Sequence, residues 1–126
     1  MNQMTMTVPA QQEWALVLHT ALNGVGVLAN LSVDMIADLR TACDEAFDLL
    51  THQPRSAETV TLLCQLWNKT LTVRLNAQRA NDFQTCVPSD PEVANLIIGT
   101  LVTDVHLSSD SCGIYSVSMT LPAAAG

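Results

Sequence analysis

The first residues of the chain alternate between apolar and polar side chains. Met4, Met6 and Val8 are separated by threonines, and Pro9 follows them. A period of two is typical of a strand with one buried face, and proline suits the end of such a strand. The pattern therefore predicts a half-buried strand that Pro9 closes.

Apolar residues then recur at helical spacing in two stretches. From Gln11 onward, the first stretch contains Trp14, Leu18, Leu22 and Val25. Gly24 and Gly26 each weaken this helix by up to about 1 kcal/mol relative to alanine, so they indicate a break or a close helix contact. The second stretch has Ser32 as its predicted N-cap, Asp34 in its first turn and Pro54 after its end. Its predicted apolar stripe is Met35, Leu39, Ala42, Cys43, Ala46 and Leu50.

Two alternating runs, residues 59–67 and 70–75, are separated only by Asn68 and Lys69. Asparagine tolerates the positive φ of a tight turn, so this spacing predicts a β-hairpin. The polar segment 76–89 is predicted to be a loop. Asp90, Pro91 and Glu92 predict the start of a third helix, because they supply a cap, a proline at the first helical position and an acid in the first turn. The predicted buried face of that helix is Val93, Leu96, Ile97 and Leu101.

A second strand pair is predicted near the end of the sequence. Val105 and Leu107 mark a short strand, and residues 110–113 form a turn. The final strand is predicted from the alternation of Tyr115, Val117, Met119 and Leu121. Residues 122–126 are expected to be a frayed tail. The element order predicts the α+β class, a two-layer α/β sandwich in which helices cover one face of a mixed sheet.

The composition indicates one ordered domain spanning residues 1–126. The chain is 48% hydrophobic and 13% charged, which excludes disorder of the whole chain. Its net charge of −7 argues against nucleic acid as a partner, because duplex binding requires several cations. The sequence shows no basic leader and no apolar run long enough for a membrane span, so we expect a cytoplasmic protein with no membrane contact.

The cysteines and histidines show no spacing typical of a metal site. The cysteines are Cys43, Cys64, Cys86 and Cys112, and the histidines are His19, His52 and His106. Cysteines this far apart are more typical of reduced packing residues than of a disulfide framework or a zinc site. We therefore expect no bound metal.

Four short segments and the last strand carry a likeness to known proteins. They are Val8-Pro9-Ala10-Gln11, Asn23-Gly24-Val25, Asp38-Leu39 and Asp44-Glu45-Ala46, together with Gly113 and the strand after it. In these segments the chain resembles the bacterial anti-sigma factor serine kinases, a subfamily of the histidine-kinase-like (GHKL) ATPases. The likeness covers most of the chain. It implies the histidine-kinase-like ATPase fold, homodimers, and a protein that binds partners and phosphorylates a serine on a switch protein.

The resemblance implies a nucleotide site made of three motifs, and the first of them lies on the second helix. Glu45 takes the position of the general base there. Leu49 replaces the asparagine expected to hold Mg²⁺, and Gln53 rather than His52 stands where the family often has histidine. A leucine side chain has no lone pair to offer a hard cation. This departure argues against a working magnesium site.

The other two motifs are also altered. Ala77, Gln78 and Arg79 stand where an Asp-x-Gly element would contact the adenine, so both the acceptor and the glycine are missing. Glu92 and Ala94 stand where a glycine-rich turn would present backbone N–H groups to the phosphates. A helix end that already carries carboxylates and a proline repels a polyphosphate and has lost one donor. The three departures therefore argue against productive ATP hydrolysis or phosphotransfer, and no cofactor is expected. Weak nucleotide binding stays open as an alternative, and ATP with Mg²⁺ would be the cofactor of a functional site.

Other positions suggest contact with a protein partner. His19 falls where the resembling kinases often carry an arginine that contacts partners, although it could equally be a histidine on a partly exposed helix. Asp44 and Asp48, like Asp34 and Asp38, are acidic pairs one turn apart. Such pairs are usually solvated surface, and the alternative is a patch for a basic partner. Trp14 and Trp67 are expected to be core or dimer-contact residues.

The leading hypothesis is an anti-sigma-factor-like regulator with a degenerate GHKL ATPase domain. It would bind a sigma factor or an anti-anti-sigma switch protein, form a homodimer and need no cofactor. The alternative is an active ATP-dependent serine-protein kinase that uses Glu45 as its base. A third hypothesis is a structural subunit that uses the fold only to dimerise.

Overall fold

The computed structural model describes residues 2–53, 56–79, 104–110 and 113–123. The elements in chain order are strand β1 (Asn2–Pro9), a 3-10 turn (Gln12–Trp14), helices α1 (Ala15–Leu28) and α2 (Val33–Thr51), and strands β2 (Ala57–Trp67), β3 (Thr70–Arg79), β4 (Asp104–Asp110) and β5 (Gly113–Pro122). This order confirms the predicted α+β class. The helix predicted to start at Asp90, with Glu92 and Ala94, lies outside the described residues.

The five strands form one sheet in the order β1-β2-β3-β5-β4, and every neighbouring pair is antiparallel. The prediction of a mixed sheet was therefore wrong for the described strands. Two helices connect β1 to β2, and the second helix runs back along the first. The chain thus returns to the end of the sheet that it left, and β2 starts beside the end of β1, with Pro9 opposite Thr59. An antiparallel pair follows from this connection.

Helices α1 and α2 pack against each other and against one face of the sheet. The glycine pair of α1 causes no break, because the helix continues to Leu28. Instead, Gly26 makes the close helix contact, since a Cβ built on it would lie 2.7 Å from Cγ1 of Ile36. The predicted cap of α2 is confirmed, with the backbone N of Met35 donating to Oγ of Ser32 at 3.1 Å.

The core lies between the two helices and the inner face of the sheet. The α2 residues buried there are Leu39, Ala42, Cys43, Ala46, Phe47 and Leu50. This set confirms most of the predicted stripe, whereas Met35 is only partly buried. Phe47 was not predicted, although it is among the largest fully buried side chains. Cys43 and Cys64 are both buried and free.

The first hairpin has the predicted turn. Asn68 and Lys69 have φ values of 51° and 57°, the paired positive values that a type I′ turn requires. The predicted loop from Asn76 was wrong at its start, because β3 continues to Arg79, which pairs with Ala57. Polar residues are compatible with a strand here because one face of the sheet can be solvated. Among the described residues, no helix covers that outer face.

The last two strands contain a β-bulge that the alternation did not predict. Ser108 pairs with Ser116 and Ser109 pairs with Ile114, so Tyr115 is the extra residue. The bulge turns Ile114 into the core and leaves Tyr115 39% exposed, which corrects the predicted inward position of Tyr115. Burial of Val117, Met119 and Leu121 is confirmed.

The predicted frayed tail was wrong at its first two residues. Strand β5 continues through Pro122, and the backbone N of Ala123 donates to the carbonyl of Lys69 at 2.9 Å. Residues 124–126 lie outside the described residues. Of the described helices, neither has the length and apolar character that a membrane span requires.

Candidate functional site

An open groove of about 620 Å³ lies between the start of α1 and the middle of α2. Its lining residues are Gln12, Glu13, Ala15, Leu16, His19, Asp44, Glu45 and Asp48. Two residues singled out by the resemblance, His19 and Glu45, therefore line the same groove. The 3-10 turn before α1 brings in Glu13, while one face of α2 presents the other three acids at helical spacing.

His19 bonds to α2 rather than pointing freely into solvent. Its Nε2 is hydrogen-bonded to Oδ1 of Asp44, so the pair joins the two helices beside the groove. The His19 side chain is 25% exposed and the Asp44 side chain 47% exposed. A partner that approached this groove would meet an imidazole whose position is already set by a carboxylate. Partner contact by His19 stays a prediction.

The charge of the groove is uniformly negative. Glu13, Asp44, Glu45 and Asp48 all line it, and no lining residue is lysine or arginine. Carboxylates at this spacing repel a further anion and attract a cation. The groove is thus electrostatically unsuited to a polyphosphate and suited to a positively charged group.

Leu49 lies one turn beyond Glu45, and its side chain is partly buried against the core. Its backbone carbonyl accepts a hydrogen bond of 2.7 Å from Nε2 of Gln53. Oε1 of Gln53 in turn accepts a bond of 3.0 Å from the backbone N of Ile114. Leu49 and Gln53, the two positions that the resemblance links to nucleotide binding, therefore attach the end of α2 to β5. The side chain of Leu49 offers no ligand to a metal ion.

Arg79 lies in β3, and its guanidinium joins three strands. Nη1 donates to Oδ2 of Asp110 at 2.5 Å, and Nη2 donates to the carbonyl of Gly113 at 2.8 Å. The same group lies 5.0 Å from the ring centroid of Tyr115, within range of a cation–π contact. Its side chain is only 10% exposed. Arg79 thus stabilises the sheet at the position where the resemblance expects an adenine contact.

Ala77, two residues before Arg79, is partly buried and packs against the core. A methyl side chain in a paired strand offers neither a hydrogen-bond acceptor nor a flexible turn. The sequence does not predict the contacts of Arg79, because Asp110 follows it by 31 residues and no local pattern links the two. The structure thus groups His19 with Glu45 and separates both from the β3 cluster around Arg79.

No family model matches the chain, and a comparison with curated proteins finds no match to it. Among the residues that the structure describes, no group of three or more His, Cys, Asp or Glu side chains has an arrangement that could hold a metal ion. The geometry and charge of the groove are therefore the basis for a proposal on function.

Proposed function

We propose that the protein is a non-catalytic regulator that acts by binding another protein. It is an anti-sigma-factor-like protein with a degenerate histidine-kinase-like ATPase domain, and it acts as a homodimer. The observation that carries this proposal is the groove around Glu45, which four carboxylates line without a lysine or arginine. A nucleotide phosphate has no favourable partner among these side chains.

The residues around the groove support binding without phosphotransfer. Magnesium that is bound to nucleotide takes its protein ligands from carboxylates and other oxygens, and the side chain of Leu49 has none. Arg79 is bonded to Asp110 and Gly113 and offers no acceptor to an adenine amino group. Glu45 can act as a base only if a substrate hydroxyl is placed within hydrogen-bond reach of its carboxylate.

The same groove suits a basic protein segment. Leu16 is 69% exposed and lines the groove beside the carboxylates, so an apolar contact lies next to negative charge. Complementary charge gives specificity and fast association, and a central apolar contact contributes affinity. A sigma factor binds DNA and must therefore expose cationic surface, which favours it over an acidic or neutral partner.

The first experiment is a calorimetric titration of the purified protein with ATP and Mg²⁺, with ADP as a control. We expect no saturable heat and no thermal stabilisation up to millimolar nucleotide. Saturable binding at micromolar nucleotide would contradict the proposal and favour the serine kinase alternative. Phosphotransfer to a switch protein, and its loss in Glu45→Ala, would then be measured.

The second experiment measures binding to purified sigma factors and anti-anti-sigma switch proteins from the source organism. We expect one of them to bind, and the double variant Glu45→Lys/Asp48→Lys to weaken that complex at least tenfold. Asp38→Lys is the matched control, because Asp38 is an exposed acid of α2 that does not line the groove. Equal losses in both variants, or no binding to any of these proteins, would contradict the proposal.

A further inference from the structure

A second cavity, of about 270 Å³, lies between the last turn of α1 and the sheet. Strands β1, β2 and β3 form its other walls. Its apolar lining residues are Met4, Val25, Leu28, Cys64, Leu66 and Leu71. Asn2 and Gln3 are the remaining described residues that line it. It is called the α1–β1 cavity below, and it shares no lining residue with the acidic groove.

The packing of α1 places this cavity on the side of the helix away from its closest contact. A Cβ built on Gly26 would lie 2.7 Å from Cγ1 of Ile36, so α1 approaches α2 closely there. Leu28 follows Gly26 by two positions and therefore points about 200° round the helix from it. Leu28 is directed away from Ile36 as a result, and it is 75% exposed at the edge of the cavity.

The floor of the α1–β1 cavity is apolar. Cys64, Leu66 and Leu71 line it and are all buried. Water finds few hydrogen-bond partners among such side chains, so an apolar cavity favours an apolar molecule over water. Each methylene group that moves from water into such a site increases the affinity about fourfold. A hydrocarbon chain is therefore the chemistry that this floor suits.

The edge of the cavity carries amide groups at the start of β1. Asn2 and Gln3 are both exposed there. Oε1 of Gln3 accepts a hydrogen bond of 3.2 Å from Nε2 of Gln65, which holds Gln3 against β2. An amide group supplies both a donor and an acceptor. An apolar pocket with a few polar groups is the usual form of a small-molecule site, because the polar groups fix the orientation of the ligand.

The cavity is uncharged on a strongly acidic protein. Of the described residues that line it, none is Asp, Glu, Lys, Arg or His. Burial of a charged group without a partner is costly, so a charged ligand is disfavoured here. The net charge of −7 further opposes an anion. A neutral ligand is therefore favoured over a carboxylate or a phosphate.

The volume limits the length of the ligand. Pockets for drug-sized ligands have about 300–1,000 Å³, and this cavity is slightly smaller, at about 270 Å³. A methylene group takes up roughly the space of a water molecule in the liquid, about 30 Å³. The cavity therefore holds a chain of roughly eight carbons.

We propose that the α1–β1 cavity binds a neutral medium-chain aliphatic molecule with a single hydrogen-bonding head group, such as a hydroxyl or an amide. The hydrocarbon chain lies against Cys64, Leu66 and Leu71, and the head group bonds to the amide groups of Asn2 and Gln3 at the edge. This site goes beyond the proposed function and does not depend on it, because the acidic groove is formed by other residues.

The test titrates the full chain with 1-butanol, 1-hexanol, 1-octanol and 1-decanol, and with octanoate at pH 7. The NMR signals of the methyl groups of Val25, Leu66 and Leu71 report binding. We expect the Kd to fall about tenfold for every two carbons up to 1-octanol, and 1-decanol to bind no more tightly. Octanoate should bind at least tenfold more weakly than 1-octanol.

Three outcomes of this titration would overturn the proposal. A Kd that continues to fall by the same factor at 1-decanol would indicate adsorption without a cavity of defined size. Equal binding of octanoate and 1-octanol would contradict the neutral head group. No shift of these methyl signals with any alcohol would leave the cavity to an apolar side chain of a protein partner.

Two phenylalanine variants on α1 test the location of the site. Val25→Phe places a larger side chain at a partly buried position that lines the cavity, and it should weaken binding of 1-octanol at least tenfold. Val27→Phe is the matched control, because Val27 is 70% exposed on the same helix and does not line the cavity. It should bind 1-octanol like the wild type.

A further variant separates loss of binding from loss of folding. Leu28→Ser changes an exposed residue at the edge of the cavity, so it should keep the circular dichroism of the wild type and weaken 1-octanol binding several-fold. Wild-type affinity in both Val25→Phe and Leu28→Ser would overturn the proposal. Binding of a sigma factor or switch protein is measured separately, through the variants of the acidic groove.

Discussion

Gly26 of α1 lies so close to Ile36 of α2 that a methyl group on Gly26 would approach Cγ1 of Ile36 to 2.7 Å. The contact is next to the connection between the helices, where the backbone N of Leu31 donates to the carbonyl of Gly26 at 3.0 Å. Gly24, two residues earlier, differs: apart from its chain neighbours and the nearby backbone of its own helix, a Cβ built there has no atom of the described residues within 4 Å. Only one of the two glycines is thus required by packing.

This difference predicts opposite effects for the same substitution. Gly26→Ala should lower the free energy of unfolding by about 1–3 kcal/mol, because the β-branched Ile36 in a helix cannot easily move aside. Gly24→Ala should raise it by up to about 1 kcal/mol, since alanine is the better helix former. Urea unfolding of both variants and the wild type measures these changes in the free energy of unfolding. Equal stability of the two variants would show that the close contact at Gly26 does not constrain the helices.

The local features of the fold were predictable because their causes lie close together in the sequence. The N-cap at Ser32 depends on the next three residues, and the turn at Asn68 and Lys69 depends on two residues that tolerate positive φ. The glycine pair in α1 predicts either a break in the helix or a close contact with another helix. Only the position of Ile36 decides between them, and that position depends on how α2 packs.

Features that join distant segments were not predictable from the pattern. The alternation of β5 placed Tyr115 inward, and only the pairing with β4 reveals the bulge that turns it outward. In the candidate site, Glu45 and His19 were identified through a resemblance. The acidic groove became visible only when packing placed Glu13 beside Asp44, 31 positions later in the sequence.

Arg79 should contribute more to stability than the exposed Arg74 of the same strand. Arg79→Ala removes two hydrogen bonds from a guanidinium that is 10% exposed, together with its contact with Tyr115. We expect a loss of about 1.5–3 kcal/mol in the free energy of unfolding. Arg74→Ala should change it by less than about 0.5 kcal/mol. Thermal or urea unfolding compares the two.

A lysine at position 79 tests the geometry of this contact. Arg79→Lys keeps the charge but cannot donate from a planar fork to Asp110 and Gly113 at once, so it should restore only part of the lost stability. If Arg79→Lys had the full wild-type stability, the positive charge alone would be sufficient for the stabilisation, and the planar fork would not be needed.

The two buried cysteines should be unreactive in the folded protein. Burial raises the pKa of Cys43 from 9.0 to about 12, with a further contribution from the nearby charge of Asp44, and burial likewise raises the pKa of Cys64 to about 12. Because the thiolate is the reactive form, a Cys86→Ser/Cys112→Ser variant should show almost no reaction with a disulfide reagent at pH 8 until denaturant is added. Rapid labelling of the folded variant would contradict this.

The same shifts predict a loss of stability at alkaline pH. The folded-state pKa lies above the unfolded-state value, so folding favours the protonated thiol. This contribution to stability is fully present below about pH 9 and decreases as the pH rises towards 12. Replacing both residues by alanine should flatten the alkaline part of the stability profile, although it should also lower overall stability by leaving small cavities. If the double alanine variant lost stability with rising alkaline pH as steeply as the wild type, titrating groups other than these two cysteines would cause the loss of stability.

The bond between His19 and Asp44 should couple the two helices energetically. In a double-mutant cycle with His19→Ala and Asp44→Ala, we expect the double variant to lose less stability than the sum of the single variants, with a coupling energy of about 0.5–1 kcal/mol. The matched control is the pair of His52 and Asp48 at the C-terminal end of α2, whose Nδ1 and Oδ1 atoms lie 3.2 Å apart and whose side chains are 69% and 60% exposed. Water screens that pair more strongly, and it joins no separate elements, so its coupling should be close to zero. Similar coupling energies in both pairs would mean that the bond between α1 and α2 adds nothing beyond an exposed contact, and that the groove does not depend on it.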